Sequence, residues 1–321
     1  MKIRRLTYFD YAKLRKMVSY LCNDANDRLA KSIMSEAFGV VNAMLPLSLK
    51  FKPESFILID NNEILGLITI LKTPGNYEKI NITKLIFKEN MYDVGKYLVD
   101  YVVNKYGDKG AKSFVVTIDE CHDELFNLFI NGCKFRQCAS ETLWKMEKPI
   151  PEKVNLPWRY AQASDAKYIA ELYNSELMNM YKPSLVRHEK EFKEPFFAGF
   201  REYNKTRYVL GNERISGYFS ITTSDNLNYI LDITTQSGYE YDYDKIINVM
   251  LCEIAQKKRA FYPLIKQKKY INGAENLEQF LKDKGCIPIQ TQQILVKDFY
   301  RPIVDTSASW KVFMLGENQT G

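Results

Sequence analysis

The sequence has little of what marks a secreted or membrane-spanning protein. Its six cysteines, Cys22, Cys121, Cys133, Cys138, Cys252 and Cys286, are scattered singly with no CxxC pair, so a disulfide framework is not indicated. No apolar run approaches the roughly 20 residues that cross a bilayer, and the N-terminus has no signal-peptide core. We therefore expect a cytoplasmic protein with reduced thiols and no membrane partner.

The chain also lacks a concentration of charge of one sign. Its 45 basic and 39 acidic residues give a formal net charge of +6, and both signs are mixed along the whole length. Because nucleic-acid binding usually requires a basic stripe, we expect no nucleic-acid partner. The densest basic region, residues 257–259 with Lys266, Lys268 and Lys269, is predicted to be a solvated face. The excess of positive charge would favour solubility or an anionic ligand.

Apolar residues are abundant enough for two cores. A chain of 321 residues with 46% hydrophobic residues exceeds the usual size of a single core and suggests two domains of about 150 residues. Pro149 and Pro151 prevent a helix from continuing from one domain into the other and favour an extended linker. We predict unit one at residues 1–148, a linker at 149–157, unit two at residues 158–300 and a tail at 301–321 that docks its aromatic residues before fraying.

The two units repeat the same sequence features in the same order. Arg4 stands six residues before Asp10, and Arg159 stands six residues before Asp165. An Ala-Lys pair follows each Asp, at residues 12–13 and 166–167, and a helical spacing of apolar residues comes after it. Further along, each unit has a strand with an interior glycine and later a Gly-Cys pair, namely Gly66 and Gly217, then Gly132-Cys133 and Gly285-Cys286. Such ordered correspondence at a nearly constant offset indicates an internal duplication.

The hydrophobic periods predict the element order βααβββαβαβ in each unit. In unit one, we predict strands at 2–6, 55–60, 63–71, 79–87, 113–118 and 135–146, and helices at 8–21, 27–44, 94–106 and 123–131. In unit two, we predict the long helix at 245–257 and the final strands at 262–266 and 287–296. The expected fold class is α/β with a mixed sheet.

This order resembles the GNAT acyltransferase fold, in which a mixed sheet opens between its fourth and fifth strands to admit the pantetheine arm of acyl-CoA. The resemblance covers nearly the whole chain and implies a tandem duplication of that fold. Three phrases of unit one, at residues 92–95, 113–117 and 135–138, also resemble tandem acetyltransferase-like proteins of cyanobacterial type. The resemblance implies acetyl-CoA as the co-substrate.

The GNAT signature for the pyrophosphate, Gln/Arg-x-x-Gly-x-Gly/Ala, falls on residues 90–95 of unit one. There the resemblance implies coenzyme contacts from Asn90, Tyr92, Val94, Gly95 and Lys96 at the positive end of a helix. Asp93 replaces the first glycine, and its carboxylate would weaken binding unless it caps the helix. A second interpretation of Gly95 is a helix-start glycine that packs against a strand. Residues 237–244 of unit two are acidic and bulky, and we expect a solvated loop without coenzyme.

Transfer in this family is direct attack of an amine on the thioester, which requires a base, an oxyanion donor and an acid. The resemblance puts the backbone donor near Leu85, Ile86 and Phe87. Asp123 falls where the family often has an asparagine that bonds the pantetheine amide. The family's acidic tyrosine is missing, because Phe129 stands at its place in unit one and Phe280 in unit two; water, Tyr92 or the incoming amine could substitute for it.

Asp119 and Glu120, at the end of the predicted fifth strand, are the candidate general bases. Their second interpretation is as acids that stabilise the dipole of the following helix. Cys121 and His122 follow them, but adjacent helical positions point about 100° apart. On that argument the pair cannot converge on one ion or form a Cys-His nucleophile, and we expect no metal.

The sequence thus predicts an N-acyltransferase that moves an acetyl or related acyl group from CoA to a primary amine, with the coenzyme in unit one. Unit two would shape the substrate cleft or a homodimer. The alternative is a catalytically silent interaction or regulatory module that kept the fold and lost the site, since a fold alone does not confer function.

Overall fold

The computed structural model describes residues 1–19, 53–88, 91–147, 151, 156–193, 204–211, 214–223, 227–258 and 260–299. The predicted helix at 27–44, most of the predicted linker, the tail and the candidate residue Asn90 lie outside the described residues. None of the helices in the described ranges is long and apolar enough to span a membrane.

Unit one forms most of its predicted elements with small changes in their ends. The strands are β1 (Lys2–Arg5), β2 (Glu54–Asp60), β3 (Glu63–Thr73), β4 (Asn76–Phe87), β5 (Ser113–Asp119) and β6 (Arg136–Lys145), and the helices are α1 (Tyr11–Ser19), α2 (Tyr92–Gly107) and α3 (Asp123–Asn127). A 3₁₀ turn, Tyr8–Asp10, precedes α1. The predicted helix at 123–131 is confirmed, and its second half, Leu128–Gly132, continues α3 as a wider π turn.

Unit two repeats this order. Its strands are β7 (Trp158–Tyr160), β8 (Asn204–Leu210), β9 (Gly217–Thr223), β10 (Asn228–Thr235), β11 (Tyr262–Lys268) and β12 (Ile287–Asp298), and its helices are α4 (Ala166–Glu176), α5 (Lys182–Leu185), α6 (Tyr243–Ala255) and α7 (Ala274–Asp283). The predicted mixed α/β fold class is confirmed: β4 runs parallel to β5 and β10 to β11, while the other recorded strand pairs are antiparallel.

The two units share one sheet because they exchange their last strands. The strand order is β1-β2-β3-β4-β5-β12-β6-β11-β10-β9-β8-β7 in a 12-stranded sheet. Strand β12, the last of unit two, pairs with β5 of unit one, while β6, the last of unit one, pairs with β11 of unit two. The exchanged strands also pair with each other, with Gln292 opposite Glu141. The exchange covers the edges of β5 and β11, which would otherwise present unpaired backbone groups.

The registers confirm the internal duplication that the sequence indicated. Gly66 of β3 lies opposite Phe87 of β4, and Gly217 of β9 lies opposite Thr235 of β10. Each glycine therefore occupies the same place in its own antiparallel pair. Gly66 also allows a close approach of α2, since a Cβ there would lie 2.8 Å from Cγ1 of Val94.

The repeated Arg and Asp form the same structure at the start of each unit. Both oxygens of Asp10 accept hydrogen bonds from the Arg4 guanidinium, at 2.5 and 2.7 Å, and both oxygens of Asp165 accept from Arg159, at 2.7 and 2.9 Å. The Arg4 hydrogen bonds, against an opposing effect of burial, lower the pKa of Asp10 to about 2. Asp10 also accepts from the Thr7 N–H at 2.8 Å, so each pair joins the first strand to the following 3₁₀ turn.

The core of unit one lies between α2 and one face of its strands. Leu98, Val99 and Val102 on α2 are fully buried against this face. Leu295 of the exchanged strand β12 belongs to the same buried cluster and is 0% exposed. Unit two therefore supplies part of the hydrophobic core of unit one.

We predict that Leu295→Ala destabilises the whole chain by about 2–5 kcal/mol, because it removes a buried side chain from a packed core. Thermal unfolding of the full-length protein should show one cooperative transition at a lower midpoint, since the continuous sheet couples the two units.

Ile289→Ala is the matched control. Ile289 lies on the same strand but is 49% exposed, so its loss should change stability by less than about 0.5 kcal/mol. Two separate unfolding transitions, with only the one belonging to unit two shifted by Leu295→Ala, would contradict the shared core.

Candidate functional site

The sheet opens between β4 and β5 of unit one. Their parallel pairing joins Lys79 through Ile82 to Ser113 through Val116 and ends there. Beyond that point, Leu85, Ile86 and Phe87 remain paired with β3 on their other edge. These three predicted residues therefore line one side of an opening in the sheet, where a chain-like ligand could lie along the strand.

A shallow pocket of about 400 Å³ lies at the N-terminal end of α2, and one of its residues, Tyr92, packs edge-on against Phe87 of the opening with ring centroids 5.6 Å apart. It is bounded by the first turns of α2, by α3 and by the π turn, and is lined by Tyr92, Asp93, Lys96, Glu124, Asn127, Leu128 and Gly132. Two predicted coenzyme contacts, Tyr92 and Lys96, are thus brought together. Asp123 is exposed at the start of α3 and is not among the lining residues. Val94 is buried in the core of unit one.

The charges in this pocket are mixed. Lys96 is ion-paired with Asp100 one turn along α2, and that hydrogen-bonded carboxylate raises the Lys96 pKa. The Tyr92 hydroxyl donates a hydrogen bond to Glu124. Asp93 lies in the first turn, while the N-cap residue Met91 makes no side-chain cap. Asp93 is thus not the N-cap residue of α2, and it lies among the residues that line the pocket.

Gly95 serves the packing of α2 on the sheet. A Cβ at this position would lie 2.8 Å from Cε1 of Phe87 and 3.0 Å from Cδ2 of Leu128. Its N–H donates to the Met91 carbonyl at 3.4 Å. This contact with β4 is the packing that the second interpretation of Gly95 describes, and the coenzyme contact of Gly95 stays a prediction.

We predict that Gly95→Ala destabilises the protein by about 1–3 kcal/mol, because the new methyl group must displace Phe87 or Leu128. Urea unfolding of the full-length protein should report a lower midpoint with little change in slope.

Gly107→Ala on the same helix is the matched comparison. No atom lies within 4 Å of a Cβ built there, so the substitution should stabilise the protein by about 0.4–1 kcal/mol through the unfolded chain. Equal effects of the two substitutions would mean that contact with Phe87 and Leu128 does not restrict Gly95.

The two candidate bases lie at the end of β5 beside the exchanged strand. Asp119 is half-buried, and its Oδ2 accepts a hydrogen bond from Nε2 of Gln290 at 2.6 Å. Glu120 is exposed in the following turn, and its N–H donates to the Thr291 carbonyl at 2.8 Å. Sequence reasoning missed Gln290 and Thr291, because it assigned β12 to unit two alone.

The prediction that Cys121 and His122 cannot converge is wrong in its geometry. Both residues precede α3 in a turn, closed by a hydrogen bond from the His122 N–H to the Asp119 carbonyl at 3.0 Å. Helical spacing therefore does not apply, and potential ligand atoms of Asp119, Cys121 and His122 lie within 4.8 Å of one another. Partial desolvation, together with the charge and hydrogen bond of Asp119, raises the pKa of the Cys121 thiol, which disfavours a nucleophilic thiolate.

The position of the missing tyrosine is apolar in both units. Phe129 is buried, with its ring edge-on to Phe135 at a centroid distance of 5.1 Å. Phe280 packs against Tyr243 at 5.7 Å. The Tyr92 hydroxyl, which donates to Glu124, lies in the pocket of unit one.

The corresponding opening in unit two is crossed by charged side chains. The parallel pairing of β10 and β11 ends at Asp232 and Lys266. Beyond it, Nζ of Lys268 donates to Asp232 at 2.6 Å. Burial raises the Asp232 pKa, but the charges of Lys268 and Lys266 outweigh this effect and lower the pKa to about 2. Lys266 pairs with Glu141 of the exchanged β6 at 2.8 Å, and the Tyr270 hydroxyl donates to Glu141 at 2.5 Å.

This network corrects the prediction of a solvated basic face for Lys266 and Lys268, whereas the lysines at 257, 258 and 269 are exposed as predicted. The Lys268 side chain is only 4% exposed, and that of Lys266 is 24% exposed. The sequence does not reveal their burial, because their partners Asp232 and Glu141 lie far away along the chain and Glu141 comes from unit one.

Comparisons with known proteins identify the fold. No protein-family model matches the sequence, and no curated protein matches it. Among solved structures, a tandem GNAT protein from the clavulanic acid biosynthesis pathway superimposes with a TM-score of 0.60 at 7% identity, covering 94% of this chain and 99% of that one.

Two further structures agree with this result. A GCN5-related N-acetyltransferase from Sphaerobacter thermophilus has a TM-score of 0.59 at 10% identity, covering 94% of this chain and 96% of that one. A putative acetyltransferase from Pyrococcus horikoshii has a TM-score of 0.56 at 10% identity, covering 92% and 89%. At such low identity these likenesses show the fold, which is the tandem GNAT fold expected from the sequence.

Proposed function

We propose that this chain, which has the tandem GNAT fold, is an acyltransferase that moves an acetyl or related acyl group from coenzyme A to a primary amine. The observation that carries the proposal is the opening between β4 and β5, with a pocket beside it at the N-terminal end of α2. Unit one is favoured over unit two, because the Lys268–Asp232 ion pair crosses the other opening.

The coenzyme would bind along the open edge of β4. Its pyrophosphate would meet the first turn of α2, where the helix dipole and Lys96 favour negative charge. The pantetheine arm would follow Leu85, Ile86 and Phe87, where the backbone N–H groups that point away from β3 could stabilise charge on the thioester oxygen. Asn90 and Asp123 remain proposed contacts from the resemblance alone.

The transfer would join the amine nitrogen to the thioester carbonyl carbon and break the carbon–sulfur bond. Glu120 or Asp119 would take the proton that the amine loses. The sulfur would leave as a thiolate and receive a proton from Tyr92 or from water. The two carboxylates are proposed for this role because they end the strand that borders the opening.

A second candidate function is a silent interaction module with the same fold. It is favoured by Asp93 and Glu124, which put two carboxylates into the pocket where two phosphates would lie. The same pocket therefore discriminates between the candidates, since an enzyme must bind acyl-CoA there.

We predict that isothermal titration of the full-length protein with acetyl-CoA shows one site. Lys96→Glu should weaken binding by roughly 5–30-fold, because reversing one exposed charge near the pyrophosphate changes the binding free energy by about 1–2 kcal/mol. Asp93→Asn should strengthen binding, because it removes a negative charge near the pyrophosphate.

Lys245→Glu is the matched control in unit two. Lys245 lies in the first turn of α6 and pairs there with Asp242, so its reversal should leave the affinity unchanged if the coenzyme binds in unit one. Absence of binding by the wild-type protein would favour the silent module, and a loss caused only by Lys245→Glu would place the coenzyme in unit two.

We predict that replacing the catalytic base by its amide abolishes acyl transfer but leaves acetyl-CoA affinity nearly unchanged, because the base contacts the amine. Release of free CoA thiol should be measured with a panel of primary amines for Glu120→Gln and Asp119→Asn.

Asp108→Asn is the control for a general loss of negative charge, because Asp108 is exposed at the C-cap of α2, and it should retain turnover. Wild-type rates in both Glu120→Gln and Asp119→Asn would exclude these two carboxylates as the base.

A further inference from the structure

A carboxylate, a thiol and an imidazole converge at the end of β5. Potential ligand atoms of Asp119, Cys121 and His122 all lie within 4.8 Å of one another. The backbone holds this arrangement: the His122 N–H closes the turn onto Asp119, and the Glu120 N–H is bonded to Thr291 of β12.

The donor set has a definite chemical preference. Thiolate and imidazole are ligands of late transition dications, and with a carboxylate they form a three-ligand set that can leave a fourth position open. Magnesium and calcium instead prefer oxygen ligands. The cluster therefore fits an ion of the zinc class better than a hard cation.

The exchanged strand supports one of the ligands. Nε2 of Gln290 donates to Oδ2 of Asp119 at 2.6 Å, and the Cys121 thiol, which also hydrogen-bonds to Asp119, would lose its proton on binding an ion. Hydrogen bonds of this kind orient metal-binding carboxylates in proteins. Gln290 belongs to unit two by sequence, so the arrangement depends on the strand exchange.

The local charge also favours a cation. Residues 119–124 read Asp-Glu-Cys-His-Asp-Glu, with four carboxylates in six positions. Cys121 and His122 are exposed, and Asp119 is half-buried. An ion can therefore enter from solvent and would offset repulsion among these carboxylates.

We propose that unit one binds one dication of the zinc class through Asp119, Cys121 and His122, with a fourth position open to water or another ligand. The site shares Asp119 with the candidate bases but no residue with the lining of the proposed coenzyme pocket, and metal binding does not depend on acyl transfer. A metal on Asp119 would leave Glu120 as the carboxylate available to act as a base.

The test uses the full-length protein, freed of metal with a chelator and then titrated with cobalt(II) as a spectroscopic probe. We expect one cobalt per chain, a thiolate-to-cobalt charge-transfer absorption, and displacement of the cobalt by zinc. Cys121→Ser should abolish the charge-transfer band. His122→Gln and Asp119→Asn should each weaken cobalt binding by more than about tenfold, and Gln290→Leu by about tenfold.

Two substitutions serve as matched controls. Cys138→Ser removes another thiol and Asp123→Asn another carboxylate of the same acidic stretch, and both should retain the band and the affinity. A band that survives Cys121→Ser, or an equal loss of affinity in Asp123→Asn and Asp119→Asn, would overturn the proposal.

The absence of any cobalt spectrum in the wild-type protein would also overturn it. Titration with acetyl-CoA in the presence of chelator tests the coenzyme pocket separately, so failure of the metal site and failure of the proposed function are distinguishable. Unfolding curves of each variant should confirm that the exposed substitutions leave the fold intact.

Discussion

The rest of the structure depends on one constraint, which is that both edges of each central strand must have a hydrogen-bonded partner strand. Strands β5 and β11 each end a parallel pair, and their free edges are covered by the last strand of the other unit. The exchanged strands then pair with each other at Glu141 and Gln292. Two copies of one fold thereby become a single sheet, and neither copy contains all of its own core.

The same exchange makes each opening a composite of both units. Unit two supplies Gln290 and Thr291 to the turn that carries the candidate bases of unit one. Unit one supplies Glu141 to the ion pairs of unit two. Changes in either half of the chain can therefore act on the site of the other half through β6 or β12.

The duplicated openings have diverged in charge while the backbone stayed similar. Lys268 is paired in register with Glu141 of the exchanged strand, and Asp119 of unit one is paired with Gln292 in the equivalent place. One opening thus gained a salt bridge across it, whereas the other has a carboxylate next to a cysteine and a histidine. This difference in side chains, on one fold, is the physical reason for proposing the chemistry in unit one.

Much of the architecture could be predicted from local patterns. Alternating apolar residues predicted β3 and β5, the helical spacing predicted α2, and the repeated Arg–Asp spacing indicated two copies, each with the ion pair that the structure shows. The resemblance of element order also led to the correct fold, and to the opening beside Leu85, Ile86 and Phe87.

Local patterns failed where partners come from distant parts of the chain. From the sequence Lys268 is expected at the surface, whereas in the structure it is paired with Asp232. Cys121 and His122 are expected to diverge on a helix, whereas in the structure they lie in the turn before α3 and come close together. The sequence by itself determined the element types, the duplication and the fold, because propensity and periodicity act over short segments. Only the tertiary structure decided the strand exchange, the packing role of Gly95 and the composition of both openings, because these depend on contacts between residues far apart in sequence.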